Sequence, residues 1–116
     1  MTINLVYMAK PIYGGWVTFT AHLGLKYNCN LYKVSKRTEN RLRDYGYGMQ
    51  YCNVKIDELI KKDNLLITAI DKHYYEYLDK FPLGTKIVIH DPTELKGKNN
   101  KIVELMDKFE IITIRE

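Results

Sequence analysis

Short, nearly unbroken apolar runs alternate along the chain with segments whose apolar residues recur at helical spacing. Ile3–Ala9, Leu31–Val34, Leu65–Ile70, Lys86–His90 and Ile111–Ile114 are the runs. A strand that stays apolar at every position is buried on both faces, as in a parallel sheet covered by helices. Between the runs the period changes. Trp16, Thr20, Leu23 and Tyr27 fall on one helical face beside Val17, Ala21 and Gly24, which predicts a helix over about 15–27 ending near Asn28. Tyr74, Tyr77, Leu78 and Phe81 stripe a second helix that Asp71 can cap, and Pro82-Leu83-Gly84 ends it. Ile102, Leu105, Met106 and Phe109 stripe a last one. Ile56, Leu59 and Ile60 indicate a short helix after a further strand, Met49–Val54, while 35–48 reads as a long polar loop. Strands alternating with helices make βαβ units. The expected fold is α/β, a Rossmann-like three-layer sandwich with a mainly parallel sheet of five to six strands, in a single domain over 1–116.

Ligands in such sheets sit at the carboxyl ends of the strands, where the strand order reverses. The segments of interest are therefore Lys10–Trp16, Ser35–Gly48, Ile70–Lys72 and His90–Glu94. Several chemistries lack their residues there. Neither GxGxxG nor GxxxxGK[ST] occurs, nor does a Gly-x-Ser-x-Gly elbow. Met8-Ala9-Lys10 offers no acidic residue to hold the magnesium of a phospho-acceptor site. His22, His73 and His90 are scattered, and Cys29 and Cys52 form no CxxC, so no metal site and no disulfide framework is expected. His22 and His73 read as surface or packing residues, and the two cysteines as small buried apolar groups. No apolar run approaches the roughly 20 residues of a membrane helix. With no basic leader region before the first run, a cytoplasmic setting is expected.

What the rim permits is more specific. Gly14-Gly15 opens a helix, and paired glycines let a backbone and its free amides approach an anion; the plain alternative is a tight turn that packs Trp16 on the sheet. His90-Asp91 ends an apolar strand and can accept a proton or bond a sugar hydroxyl, although Asp91-Pro92 also suits a helix start. The net charge of +4 lies wholly in the first half: residues 1–58 carry eight Lys/Arg against four Asp/Glu, and 59–116 carry ten of each. Arg41, Arg43, Tyr45, Tyr47 and Tyr51 interleave cations with aromatics, a pattern that can hold phosphate and stack on unpaired bases. The plain alternative is a solvated loop.

At Met8–Trp16 and Ile87–Pro92 the chain resembles the N-terminal half of a GT-B glycosyltransferase. It is most similar to the DNA-modifying glucosyltransferases of T-even-type phages and to related glycosyltransferases of large DNA viruses. The resemblance implies a nucleotide-sugar as co-substrate with no resident cofactor. Lys10, Gly14 and Gly15 would border the donor phosphates and sugar, and His90 and Asp91 would be catalytic. Arg41, Arg43, Tyr45 and Tyr47 would face a DNA or glycan acceptor. The family's main donor pocket lies in a C-terminal domain, so a further GT-B domain, a partner chain or a second copy is expected, with no membrane and a host-cell cytoplasm if the source is viral. The chain alone is expected to transfer sugar negligibly. Two readings compete: a small nucleic-acid- or nucleotide-binding module without catalysis, and an interaction domain that docks a partner.

Overall fold

The computed structural model describes residues 2–9, 15–35, 41–89 and 109–113. The described chain is an α/β fold around one seven-stranded sheet. Its elements run β1 (Asn4–Met8), α1 (Gly15–Lys26), β2 (Asn30–Val34), β3 (Leu42–Gly46), β4 (Met49–Val54), α2 (Ile56–Leu59), β5 (Leu65–Ile70), a 3₁₀ helix (Lys72–Lys80), β6 (Lys86–Ile89) and β7 (Glu110–Thr113). The spatial order is β3-β4-β2-β1-β5-β6-β7. Every neighbouring pair is parallel except β3 with β4.

β1 lies at the centre, and its alternate residues are buried on opposite faces. Leu5, Tyr7 and Ala9 join α1 through Val17, Phe19, Ala21 and Leu23. Val6 and Met8 join α2 and the 3₁₀ helix through Ile56, Leu59, Leu78 and Phe81. That double burial is why β1 reads as unbroken apolar sequence rather than as an alternation.

α1 ends as expected. Asn28 has φ 51°, the left-handed conformation that stops a helix, and the Cys29 N–H donates to the Gly24 carbonyl at 2.9 Å. That bond reaches back five residues, as in a Schellman cap. Tyr27, expected on the buried face, lies past the helix end and is 58% exposed. Further along, Asp71 caps the 3₁₀ helix, its Oδ1 accepting from the His73 N–H. Side chains three apart eclipse one another in such a helix, so Tyr74 meets Tyr77 at 5.9 Å and Lys80 lies 6.0 Å over the Tyr77 ring.

Two expectations need correction. The sheet has seven strands, not five or six. The extra one is β3, from the stretch read as loop. Gly46 and Gly48, taken as loop residues, belong instead to a hairpin. Tyr47 and Gly48 have φ of 55° and 80°, the paired positive values of a type I′ turn. The expected helix over 102–109 lies outside the described residues, except for Phe109, which is buried against Phe81 with ring centroids 6.4 Å apart.

The β3–β4 hairpin leans on α1. Tyr45 reaches Tyr7 of β1, Thr18 of α1 donates to the Tyr47 hydroxyl at 3.3 Å, and Met49 packs onto Gly24. A Cβ on Gly24 would run into the Met49 Sδ and Cε. Gly24→Ala should therefore be close to neutral, since a thioether end swings aside easily and alanine favours the helix by about 1 kcal/mol. Gly24→Leu should cost about 1–3 kcal/mol by prising the hairpin from α1. Chemical denaturation of both variants reads the difference; equal stabilities would refute this packing.

Candidate functional site

The sheet reverses its order at β1: the chain steps outward through β2 and β4, then returns to the other side for β5, β6 and β7. The carboxyl ends of β1 and β5 are therefore adjacent, and the Asp71 N–H donates to the Met8 carbonyl at 2.7 Å. Asp71, half-buried, and Gly15, exposed at the start of α1, both stand at this rim. No acidic side chain occupies the first turn of α1, so its free amides face no carboxylate on their own helix. A Cβ on Gly15 would meet nothing within 4 Å, so packing does not require glycine there. Trp16 packs against the core beneath it, as the plain reading of this turn expects.

Of the residues singled out from sequence, Lys10, Gly14, His90 and Asp91 lie outside the described residues. Gly15 is at the rim. Arg41 and Tyr47 are exposed at opposite ends of the β3 arm, and Arg43 is half-buried within it. Tyr45 does not suit base stacking. It is 3% exposed, and its ring meets Tyr7 edge-on at 5.4 Å and Tyr51 edge-on at 5.9 Å, which makes it a core residue. Its position beside a bulge between Asp44 and Gly46 turns it inward. Cys29 and Cys52 are unpaired and half-buried rather than fully buried, and His22 and His73 are exposed.

The strand registers reveal a polar row that sequence reading missed. Tyr7 pairs across to Lys33, and Lys33 to Asn53. In parallel neighbours, paired residues project from the same face. This row therefore lies on the α1 side of the sheet, near the carboxyl ends of β1, β2 and β4. Arg43, opposite Tyr51, projects from that face too, two residues back along β4. Beneath α1, Thr20 Oγ1 donates to Thr68 Oγ1 at 2.9 Å, and Thr68 Oγ1 donates to the Val6 carbonyl at 3.3 Å. Both threonines are buried, and Thr68 sits where the β1–β5 register shifts. Strand parity was the available signal: Lys33 and Asn53 interrupt runs that otherwise read as buried.

Burial sets the electrostatics. It holds the Lys33 ammonium below the usual lysine range. It also pushes the Tyr7 and Tyr45 hydroxyls up, with the Asp71 carboxylate raising Tyr7 further. The consequence for stability has a definite sign. A phenol whose folded pKa is raised ionises first in the unfolded chain, so its contribution is intact below pH ~10 and falls as pH climbs beyond it. Unfolding in alkali should accordingly coincide with a cooperative rise in tyrosinate absorbance. A gradual rise, as for ten exposed tyrosines, would contradict it.

At the opposite rim, β2 and β4 pair only through Tyr32–Val34 and Cys52–Val54. Their amino ends diverge around a groove of about 720 Å³ lined by Asn28, Asn30, Leu42, Met49, Gln50 and both cysteines, among others. Among the described residues, no three His, Cys, Asp or Glu side chains cluster as metal ligands, and no helix is long and apolar enough to cross a membrane.

Compared with family models, curated proteins and solved structures, the chain matches none.

Proposed function

We propose that this chain is a Rossmann-like domain that takes an anionic ligand at the carboxyl rim between β1 and β5. In this reading it serves as the acceptor-side half of a GT-B glycosyltransferase, the donor-binding half coming from a further domain or partner chain. The observation that carries the proposal is the reversal of strand order at β1, because a crevice opens where neighbouring connections leave in opposite directions. Gly15 at the start of α1 and Asp71 after β5 stand at that rim.

The chemistry follows from the roles the resemblance gives to residues of this chain. Lys10, Gly14 and Gly15 border the donor diphosphate. In an inverting reaction Asp91 takes the proton from an acceptor hydroxyl as its oxygen attacks the anomeric carbon, and the nucleoside diphosphate departs with the bonding electron pair; in a retaining one Asp91 only orients the acceptor, and in either His90 contacts the donor sugar or the attacking hydroxyl. Alignment of the two reactants lowers the barrier before any proton moves.

Chemical-shift mapping with UDP-glucose tests the reading. Residues 15–16 and 71–73 should respond, and Gly15→Ala, which the fold tolerates, should weaken the response. Silence at millimolar ligand would overturn the proposal, as would robust sugar transfer by the chain alone. The nucleic-acid reading has its own support in the exposed side chains of Arg41 and Tyr47. It predicts salt-sensitive binding of single-stranded DNA that Arg41→Ala weakens and Gly15→Ala does not.

A further inference from the structure

At the rim opposite the crevice, the groove where β2 and β4 part at their amino ends is built on two rows that strand register lays across the sheet. Tyr32 pairs with Cys52, and Cys52 with Leu42, so these three project from one face of β2, β4 and β3. Two residues away along each strand, on the same face, Asn30, Gln50 and Asp44 make a second row, with Gln50 directly opposite Asp44. All six line the groove, and Leu25, Asn28 and Met49 complete it from α1 and the hairpin. Its volume of about 720 Å³ is that of a small-molecule site. One row is largely apolar and the other polar, so the groove suits a ligand with an apolar body and a polar head.

The sign of that head follows from the lining. Among the described residues that line the groove, Asp44 is the one charged side chain, in a chain whose net charge is +4. Its Oδ1 accepts from the Gly46 N–H at 3.0 Å, which leaves Oδ2 for a ligand. A chain of amides fixes a further acceptor in the polar row. Asn4 Nδ2 donates to the Asp63 carbonyl at 2.7 Å, and Asn4 Oδ1 accepts from Asn30 Nδ2 at 3.2 Å, so Asn30 keeps its own oxygen to accept. The two thiols add no donor, because Cys29 and Cys52 donate to the carbonyls of Leu23 and Asn53. The carboxyl end of α1 contributes partial negative charge, and Lys26 of its last turn lies over the Tyr27 ring, outside the lining. The aromatic side chain of the apolar row already holds one cation: Lys62 Nζ lies 4.7 Å from the Tyr32 ring centroid.

We propose that this groove binds a small organic cation, an ammonium or guanidinium carried on an apolar body, with the charged group against Asp44 and Gln50 and the body over Leu42, Cys52 and Tyr32. An ammonium has three donors and no acceptor, which matches a row of oxygens. An anion would meet the Asp44 carboxylate with no counter-charge in the lining. The assignment stands apart from sugar transfer, since it uses neither Gly15 nor Asp71.

Titration with phenethylamine at neutral pH and constant ionic strength, followed by amide chemical shifts and calorimetry, tests it. Shifts should centre on residues 28–32, 42–44 and 48–52. Phenylpropionate, of similar size and opposite charge, should bind at least about tenfold more weakly. Asp44→Asn keeps an oxygen for the Gly46 N–H and should weaken amine binding by about tenfold. Leu42→Ser, at a side chain already 64% exposed, should leave the protein folded and weaken binding by about threefold. The proposal is overturned if wild type shows no shifts at millimolar amine, or if the shifts centre elsewhere. It is equally overturned if phenylpropionate binds as well as the amine, or if folded Asp44→Asn binds the amine as wild type does.

Discussion

Truncating Tyr45 to alanine should destabilise the protein by about 3–5 kcal/mol, the range for removing a large buried ring. Tyr45→Phe should instead cost only about 1 kcal/mol, the worth of one hydroxyl hydrogen bond. The two substitutions separate what the ring does from what the hydroxyl does. The ring couples the β3–β4 hairpin to β1, because it meets Tyr7 and Tyr51 edge-on and is 3% exposed. Edge-to-face pairs add to the energy of burial alone. Without the ring, the hairpin keeps Met49 on Gly24 and the surface bond between Thr18 and Tyr47, but loses its deepest anchor. The hydroxyl, by contrast, offers at most a modest hydrogen bond to Tyr7 or Thr20. Urea unfolding of both variants decides the matter. If Tyr45→Phe were as damaging as Tyr45→Ala, the hydroxyl rather than the ring would be what anchors the hairpin.

Phe81→Ala should be as costly, again about 3–5 kcal/mol, through the opposite face. Phe81 is 2% exposed at the end of the 3₁₀ helix and packs with Val6, Met8, Leu78, Ile87 and Phe109. It ties that helix to β1 and β6 and to the entry of β7. Among the described residues, Leu78 and Ile87 already pack in the same cluster and cannot readily fill the void. The two truncations lie on opposite faces of the sheet, so their costs should add to within about 0.5 kcal/mol in the double variant. A strongly non-additive result would mean that the central strand transmits strain between faces.

Local chemistry is what the chain declares most openly. Leu5–Ala9 reads as a doubly buried strand because every side chain there meets a covering layer. Asn28 marks the end of α1 because a left-handed residue suffices to stop a helix. Asp71 announces its cap through one carboxylate oxygen. These features depend on neighbours in sequence, so the alternation of strand and helix, and with it the parallel sheet, was legible. The third strand was not: Gly46 and Gly48 look like loop, and only the pairing of Leu42–Gly46 with Met49–Cys52 turns the stretch into a hairpin.

The candidate sites divide in the same way. That a rim carries ligands follows from topology, and Gly15 and Asp71 could be nominated from their places after apolar runs. The row of Tyr7, Lys33 and Asn53 could not, because these residues come from three strands separated by dozens of positions, and only register makes them neighbours. Tyr45 moved from a supposed stacking surface into the core for the same reason: whether an aromatic ring faces water or another ring depends on which element folds over it. By itself, then, the sequence determined which segments became strands and helices and where most of them stop, since those choices rest on bonds and contacts a few residues apart. The tertiary structure alone decided the strand order, the hairpin's lean onto α1, and which polar groups share one face, since those rest on pairings between distant segments.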